Sequence, residues 1–324
     1  MFSFFKRQAK PSIIKRPLLE DCELLRLRQL AEQIDYSASS QMLLESRQSG
    51  SLASSSLGSG VDYAESRVYQ PGDDIRSINW RLSARSHETF VKTFHLESRP
   101  SINIFLDRRR SMVFGTRQQL KITQAVRVAC LLAYAADYHQ LDFQAWIVDE
   151  ENKENEENEE AIKHYDNTAF FLLEANKPCS IETSDFNRGI SLVLKKMSEL
   201  SSEALQANGS FVYLLSDFSD LEKKHQAGLA RLQEQYFVQA IHFFDRAEFE
   251  LPKIGKLRLQ AMHEDNICQL DTFKQEDRED FARISKHYFE TRKSLIKDLG
   301  IVYQQLETDV DDLQEYVLLP LGRA

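Results

Sequence analysis

From residue 102 onward the chain alternates short apolar runs with amphipathic stretches, and this alternation restricts the fold more than any other feature. Residues 102–106 (INIFL), 143–148 (FQAWIV), 169–173 (AFFLL), 211–215 (FVYLL) and 237–244 (FVQAIHFF) read as buried strands. Residues 120–138, 186–200 and 228–235 space their apolar side chains three and four apart, which predicts helices between them. Strands and helices in alternation imply a doubly wound, mostly parallel sheet with helices on both faces. In such sheets, sites form where loops leave the C-terminal ends of strands. Two of the predicted strands deliver an aspartate there, Asp107 and Asp217.

The flanks read differently. Residues 17–34 carry leucines at helical spacing, and 67–69 and 89–96 read as short strands. After the last β/α unit come a hairpin near 257–270, a charged helix over 273–299, a strand over 301–306 and a short helix over 309–316. The expected division is therefore a helix and β-rich segment over 1–98, then an α/β domain with a C-terminal extension over 99–324. Two low-complexity stretches interrupt this pattern. Residues 48–60 are rich in Ser and Gly but lack the Lys-Ser/Thr of a phosphate-binding loop, so they read as a plain loop. Residues 149–160 (DEENKENEENEE) have no apolar face and lack the glycine of a calcium loop, so they read as an exposed excursion.

Composition removes several function classes. The formal charge of −9 argues against a general nucleic-acid or anionic-membrane binder, although Arg108-Arg109-Arg110 is a local basic run. Cys22, Cys130, Cys179 and Cys268 are widely separated and expected to stay reduced. The opening MFSFFKRQAKP is too short for a signal-peptide core, and no run approaches the roughly 20 apolar residues of a membrane span, so the expected compartment is the cytoplasm. The histidines show no HxH or HExxH spacing, and neither Ser111 nor Ser216 lies in a GxSxG elbow. Two alternatives remain beside a binding role: a metal-dependent hydrolase clustering Asp73, Asp74 and Asp107, and a nucleic-acid binder using the arginine-rich loops.

A polar signature precedes the first long strand: Arg67, Tyr69, Pro71, Gly72, Asp73, Asp74, Arg76, Ile78, Asn79, Trp80, Ser83, Ala84 and Arg85. Pro-Gly-Asp-Asp has turn chemistry, and its aspartates satisfy backbone donors at least as readily as they do acid/base work. Trp80 among Arg67, Arg76, Arg81 and Arg85 has two readings. It is either an interface anchor, or it packs between the β segment and the α/β domain while the arginines pair with Asp73 and Asp74.

With Phe105-Leu106-Asp107, Ser111-Met112-x-Phe114-Gly115, Leu215-Ser216-Asp217-Phe218 and residues 245–252 (DRAEFELP), this signature resembles the DUF58 family over roughly residues 20–320. These are bacterial and archaeal proteins with a von Willebrand factor A-like domain. The resemblance implies a site for Mg²⁺ or Mn²⁺ built from an Asp-x-Ser-x-Ser loop, a threonine of a second loop and an aspartate of a third. Here Asp107, Ser111 and Asp217 match, the second-loop position falls at Thr183 or Ser184, and Arg109 stands where the middle serine would be. A guanidinium removes an oxygen ligand and repels a divalent ion by about 8 kcal/mol at about 4 Å and an effective dielectric of about 20. The expectation is a metal-free or weak site, with an arginine of the triplet pairing with Asp107 or Asp217. The resemblance also implies a MoxR-type AAA+ ATPase as partner, together with other von Willebrand factor A proteins. Contact is expected at the edge around Asp107, Arg109, Ser111, Ser184 and Asp217, in a non-enzymatic adaptor or assembly factor.

Overall fold

The structure is a computed structural model that describes residues 2–4, 17–34, 57–58, 62–70, 74–86, 88–95, 101–149, 162–179, 189–199, 210–261 and 267–317. Its backbone contacts divide the chain into a smaller unit, residues 41–99, and a larger one, residues 1–40 with 100–324.

In chain order the larger unit begins with β1 (Phe2–Phe4) and α1 (Asp21–Ala31). The smaller unit follows with β2 (Leu57–Gly58), β3 (Asp62–Val68) and β4 (Phe90–His95), which form an antiparallel sheet in the order β2-β4-β3. The larger unit resumes with β5 (Ser101–Asp107), α2 (Lys121–Tyr138), β6 (Asp142–Val148), β7 (Ile162–Tyr165), α3 (Thr168–Ala175) and α4 (Gly189–Glu199). Then come β8 (Phe211–Ser216), α5 (Gln226–Gln235), β9 (Phe237–Phe244), β10 (Lys256–Ala261), β11 (Ile267–Asp271), α6 (Gln275–Lys297) and β12 (Val302–Glu307).

The main sheet has the order β12-β9-β8-β5-β6-β7. All its pairings are parallel except β7 on β6. β5 sits centrally, with Ile104 between Ala145 and Tyr213, and every one of its residues is buried. Strands covered on both faces are expected to be near-continuously apolar, as β5 and β8 are. On one face Phe105, Trp146, Val148, Val212, Leu214 and Val238 pack with Ile190 and Val193 of α4, Leu229 and Leu232 of α5, and Leu295 and Ile296 of α6. The other face carries α2, which also contacts α1 and α3. Covered on several sides, α2 is apolar almost all round, as a buried helix must be. The result is a von Willebrand factor A-like α/β sheet flanked by helices.

Two local expectations are corrected. Residues 169–173 are not a strand: they lie in α3, whose first turn is capped by Asn167 Oδ1, accepting from the amides of Ala169 (3.0 Å) and Phe170 (3.2 Å). The third predicted strand position is taken instead by β7, the antiparallel edge strand. A run of five apolar residues has no period that separates strand from helix, and the cap decides it. The segment before residue 41 belongs with the larger unit rather than with the β-rich segment. Leu27 and Ala31 of α1 are fully buried, and Glu23 accepts from Arg127 Nε of α2 at 2.7 Å. The predicted hairpin is β10 with β11, antiparallel, joined by β1 into a three-stranded sheet.

Candidate functional site

The loops leaving the C-terminal ends of β5 and β8 meet, because the two strands are adjacent and parallel. Asp107 ends β5, Ser216 ends β8 and Asp217 follows it. Asp107, Arg109 and Asp217 are each at most 5% exposed, so the site is a buried charge network rather than an open cluster.

Arg109 occupies its centre. Its Nε donates to Asp107 Oδ1 (2.9 Å) and its Nη2 to Asp107 Oδ2 (2.6 Å), a bidentate pair. The same Nη2 donates to Asp220 Oδ1 at 3.0 Å, so one guanidinium bridges two carboxylates. Asp107 also accepts from Ser216 Oγ (2.6 Å) and from the backbone amide of Arg109 (3.0 Å). Asp220 accepts from the backbone amide of Ile190 (2.9 Å), which ties α4 to the network. Gly189 makes this approach possible: a Cβ there would lie 2.4 Å from Arg109 Cζ. Burial opposes the charge on Arg109, but Asp107, then Asp220 and Asp217, outweigh it and hold its pKa well above the ordinary arginine value.

A second cation completes the arrangement. Lys121, the first residue of α2, donates from Nζ to Asp217 Oδ2 (2.9 Å) and to Glu248 Oε1 (3.0 Å). Burial disfavours its charge, yet the two carboxylates raise its pKa. Burial also works against the Asp217 carboxylate, but Lys121 and Arg109 hold its pKa well below the usual range. Glu248 lies the other way, raised by burial that Lys121 only partly offsets. Of the two carboxylates facing Lys121, Asp217 therefore carries the firmer negative charge. Asp217 Oδ1 accepts from the amide of Ser219 (3.0 Å), in a turn where Phe218 adopts a left-handed φ of 50°. Arg292 of α6 clasps the same turn, donating to the carbonyls of Phe218 (2.9 Å) and Ser219 (3.0 Å).

This donor set does not fit a divalent ion. Both oxygens of Asp107 are engaged by Arg109, and Asp217 is held by an ammonium. The guanidinium already bridges two carboxylates in the manner of a metal. Among the described residues no group of three or more His, Cys, Asp or Glu side chains has a metal-binding arrangement. Ser111 lies at the rim, its Oγ 3.4 Å from Ser219 Oγ.

The remaining sequence candidates are placed as follows. Thr183, Ser184, Pro71, Gly72 and Asp73 lie outside the described residues, so the second-loop position and the Asp73 part of the hydrolase cluster do too. Asp74 caps a turn, accepting from the amide of Arg76 at 2.9 Å. Asn79 Oδ1 accepts from the amide of Leu82 (3.2 Å), and its Nδ2 donates to Ser66 Oγ (2.9 Å). Ser83 Oγ accepts from the amide of Phe90 at 2.8 Å. Arg67 and Tyr69 are half-buried, whereas Arg76, Trp80 and Arg85 are exposed.

Sequence reasoning missed Lys121, Asp220, Glu248 and Gly189. Asp220 had one visible signal, its recurrence three residues after Asp217 in SDFSD. The structure also brings Ser191 Oγ within 2.8 Å of His225 Nε2. That pair does not activate a nucleophile. His225 Nδ1 accepts from the amide of Glu222 (3.1 Å), so Nε2 carries the proton and donates to the serine.

The sheet order and the loop edge define an α/β protein with a mostly parallel six-stranded sheet and an internally neutralised charge network at its strand ends. The chain belongs to the DUF58 family: the family model "Protein of unknown function DUF58" matches residues 65–290. Uncharacterized proteins of Mycobacterium bovis and Mycobacterium tuberculosis are each 32% identical to it over 77 residues, which is 24% of this chain and 24% of theirs. The chain thus matches about a quarter of the length of these curated relatives. Among solved structures, the conserved hypothetical protein BatB from Bacteroides thetaiotaomicron aligns with 12% identity and a TM-score of 0.35, over 65% of this chain and 91% of that one.

Proposed function

We propose that this chain is a non-enzymatic adaptor or assembly factor that binds a protein partner at the loop edge around Ser111 and Ser219, without a bridging metal. The partner is a MoxR-type AAA+ ATPase. The observation that carries this reading is the internal use of the four carboxylates that meet Arg109 and Lys121 at the edge. Asp107 and Asp220 are taken by Arg109, and Asp217 and Glu248 by Lys121. A general base or nucleophile needs a group free to exchange a proton with a substrate, and these groups are held as ion pairs. Direct capture of a partner's arginine or lysine by Asp217 would require Lys121 to let go, so contact falls to the rim hydroxyls and the loop backbone. The α/β fold supplies the platform, and the fixed ion pairs hold its loops in one arrangement.

Pull-down of purified MoxR-type ATPase on the immobilised chain tests this. Ser219→Tyr, which adds bulk at the rim, is expected to weaken capture, while a chelator on the immobilised chain before the ATPase is added leaves capture intact. Equal capture by the variant removes the loop edge as the contact, and loss of capture after chelation removes the metal-free reading.

A further inference from the structure

The signature segment of the smaller unit plays no part in the site above, and its residues fall into two groups. Asp74, Asn79 and Ser83 spend their polar atoms on fastening two consecutive turns, through the bonds given earlier. The backbone adds to this: the amide of Asn79 donates to the Phe90 carbonyl (2.8 Å), and Ile78 forms a bridge with Val91. The other group is left outside. Trp80 is 67% exposed and Ile75 64%, with Val68 and Leu82 also exposed. Arg76, Arg81 and Arg85 are exposed, and among the described residues none of their guanidinium groups is ion-paired. The turn over Trp80–Ser83, continued by the bond from the Ala84 amide to the Trp80 carbonyl (3.0 Å), sets Arg81 and Arg85 four residues apart on one side of it.

A firmly fixed turn that holds a tryptophan, an isoleucine and three exposed arginines in water has the composition of a binding hot spot. We propose that this surface docks an acidic protein segment, whose carboxylates pair with Arg76, Arg81 and Arg85 while an apolar or aromatic side chain covers Trp80 and Ile75. Charge complementarity selects this occupant. Arginine forks match carboxylates bidentately, and the exposed apolar companions match a side chain rather than a phosphate backbone. A polyphosphate partner is disfavoured by the surroundings. Residues 41–99 hold seven Lys or Arg and seven Asp or Glu, so the segment offers no net positive field, and the whole chain is at −9.

The chain carries its own reporter, because its only two tryptophans differ in setting. Trp146 is 2% exposed and stacked on Phe105, so quenching by acrylamide reads Trp80. The full chain is titrated with a glutamate–tyrosine copolymer and, in parallel, with oligothymidylate. The copolymer is expected to protect Trp80 from quenching, with an affinity that falls as salt rises. The triple variant R76E/R81E/R85E is expected to lose at least about tenfold in affinity at an unchanged circular dichroism spectrum. W80F, read by calorimetry, is expected to weaken binding of the same copolymer. No protection by the copolymer, equal binding by the triple variant, or tighter binding of oligothymidylate would each overturn the proposal. A salt-sensitive dimer of the chain alone, abolished by the same triple variant, would reassign the surface to self-association and overturn it as well.

Discussion

Replacing Arg109 by serine tests the role of the guanidinium most directly. The substitution removes a side chain that is 2% exposed and leaves Asp107 and Asp220, at 5% and 4% exposure, without their shared cation. Breaking a buried ion pair by deleting one partner costs about 3–5 kcal/mol, since the surviving charge stays in a poorly solvated place. Asp107 keeps its bond from Ser216 and Asp220 keeps the Ile190 amide, which places the expected cost at the lower end, about 3 kcal/mol. In a unit of this size that is a fall in Tm of about 5 °C. The same change returns a hydroxyl to the loop and takes away the charge that repels a divalent ion. Magnesium at about 100 times its Kd would give back about 2.7 kcal/mol in R109S, and nothing in the wild type. Urea denaturation of both proteins in chelator and in magnesium measures all four values. A wild type stabilised by magnesium, or an R109S protein as stable as the wild type in chelator, would refute the reasoning. R109K, which keeps the charge but loses the fork, is expected to fall between them.

Three further outcomes follow from the same geometry. Gly189→Ala should displace the guanidinium and cost about 1–3 kcal/mol in urea denaturation, because its Cβ would meet Arg109 Cζ at 2.4 Å; a neutral result would mean that α4 shifts freely. Lys121→Met leaves Asp217 buried and unpaired, so burial then raises the Asp217 pKa and protonation relieves the cost. Its stability deficit relative to the wild type should shrink between about pH 8 and about pH 5, the reverse of the wild-type contribution, which is present above the unfolded carboxylate pKa and lost as pH falls. Burial pushes His242 down to about 3. The folded state therefore binds its proton less readily than the unfolded chain, and stability falls by up to about 1.4 kcal/mol per pH unit below about 6.5; His242→Gln should flatten that slope in urea midpoints measured across the range.

The centre of the sheet was readable because β5 and β8 are near-continuously apolar, and the loop edge because Asp107 ends the first and Asp217 follows the second. Where the sequence misled, it did so at residues 169–173, a run too short and too uniformly apolar to show a period. The charge network was only half visible. Arg109 was conspicuous by standing in a serine's position, two residues from its own carboxylate. Lys121 and Glu248 were not, since they are 127 positions apart in the chain and meet only once α2 lies against the sheet. Gly189 was silent for a related reason: its importance is the space it leaves for the Arg109 side chain, which comes from the loop after β5. In the signature segment, the sequence showed a turn with arginines around a tryptophan, but the fastening role of Asn79 and Ser83 depends on partners in β3 and β4.

A dissolved cation binds by mass action, and its occupancy follows the composition of the medium. Arg109 and Lys121 are covalently part of the chain, so their local concentration at Asp107 and Asp217 is fixed by geometry and their stoichiometry cannot vary. Chelators and shifts in cellular magnesium have no purchase on them. What can alter the charge at this edge is mechanical: a displacement of α4, which reaches Asp220 through the Ile190 amide, or of α6, which holds the Phe218 turn through Arg292. The strand-end loops are thus wired to the helices that cover the sheet, and insulated from the salts around it.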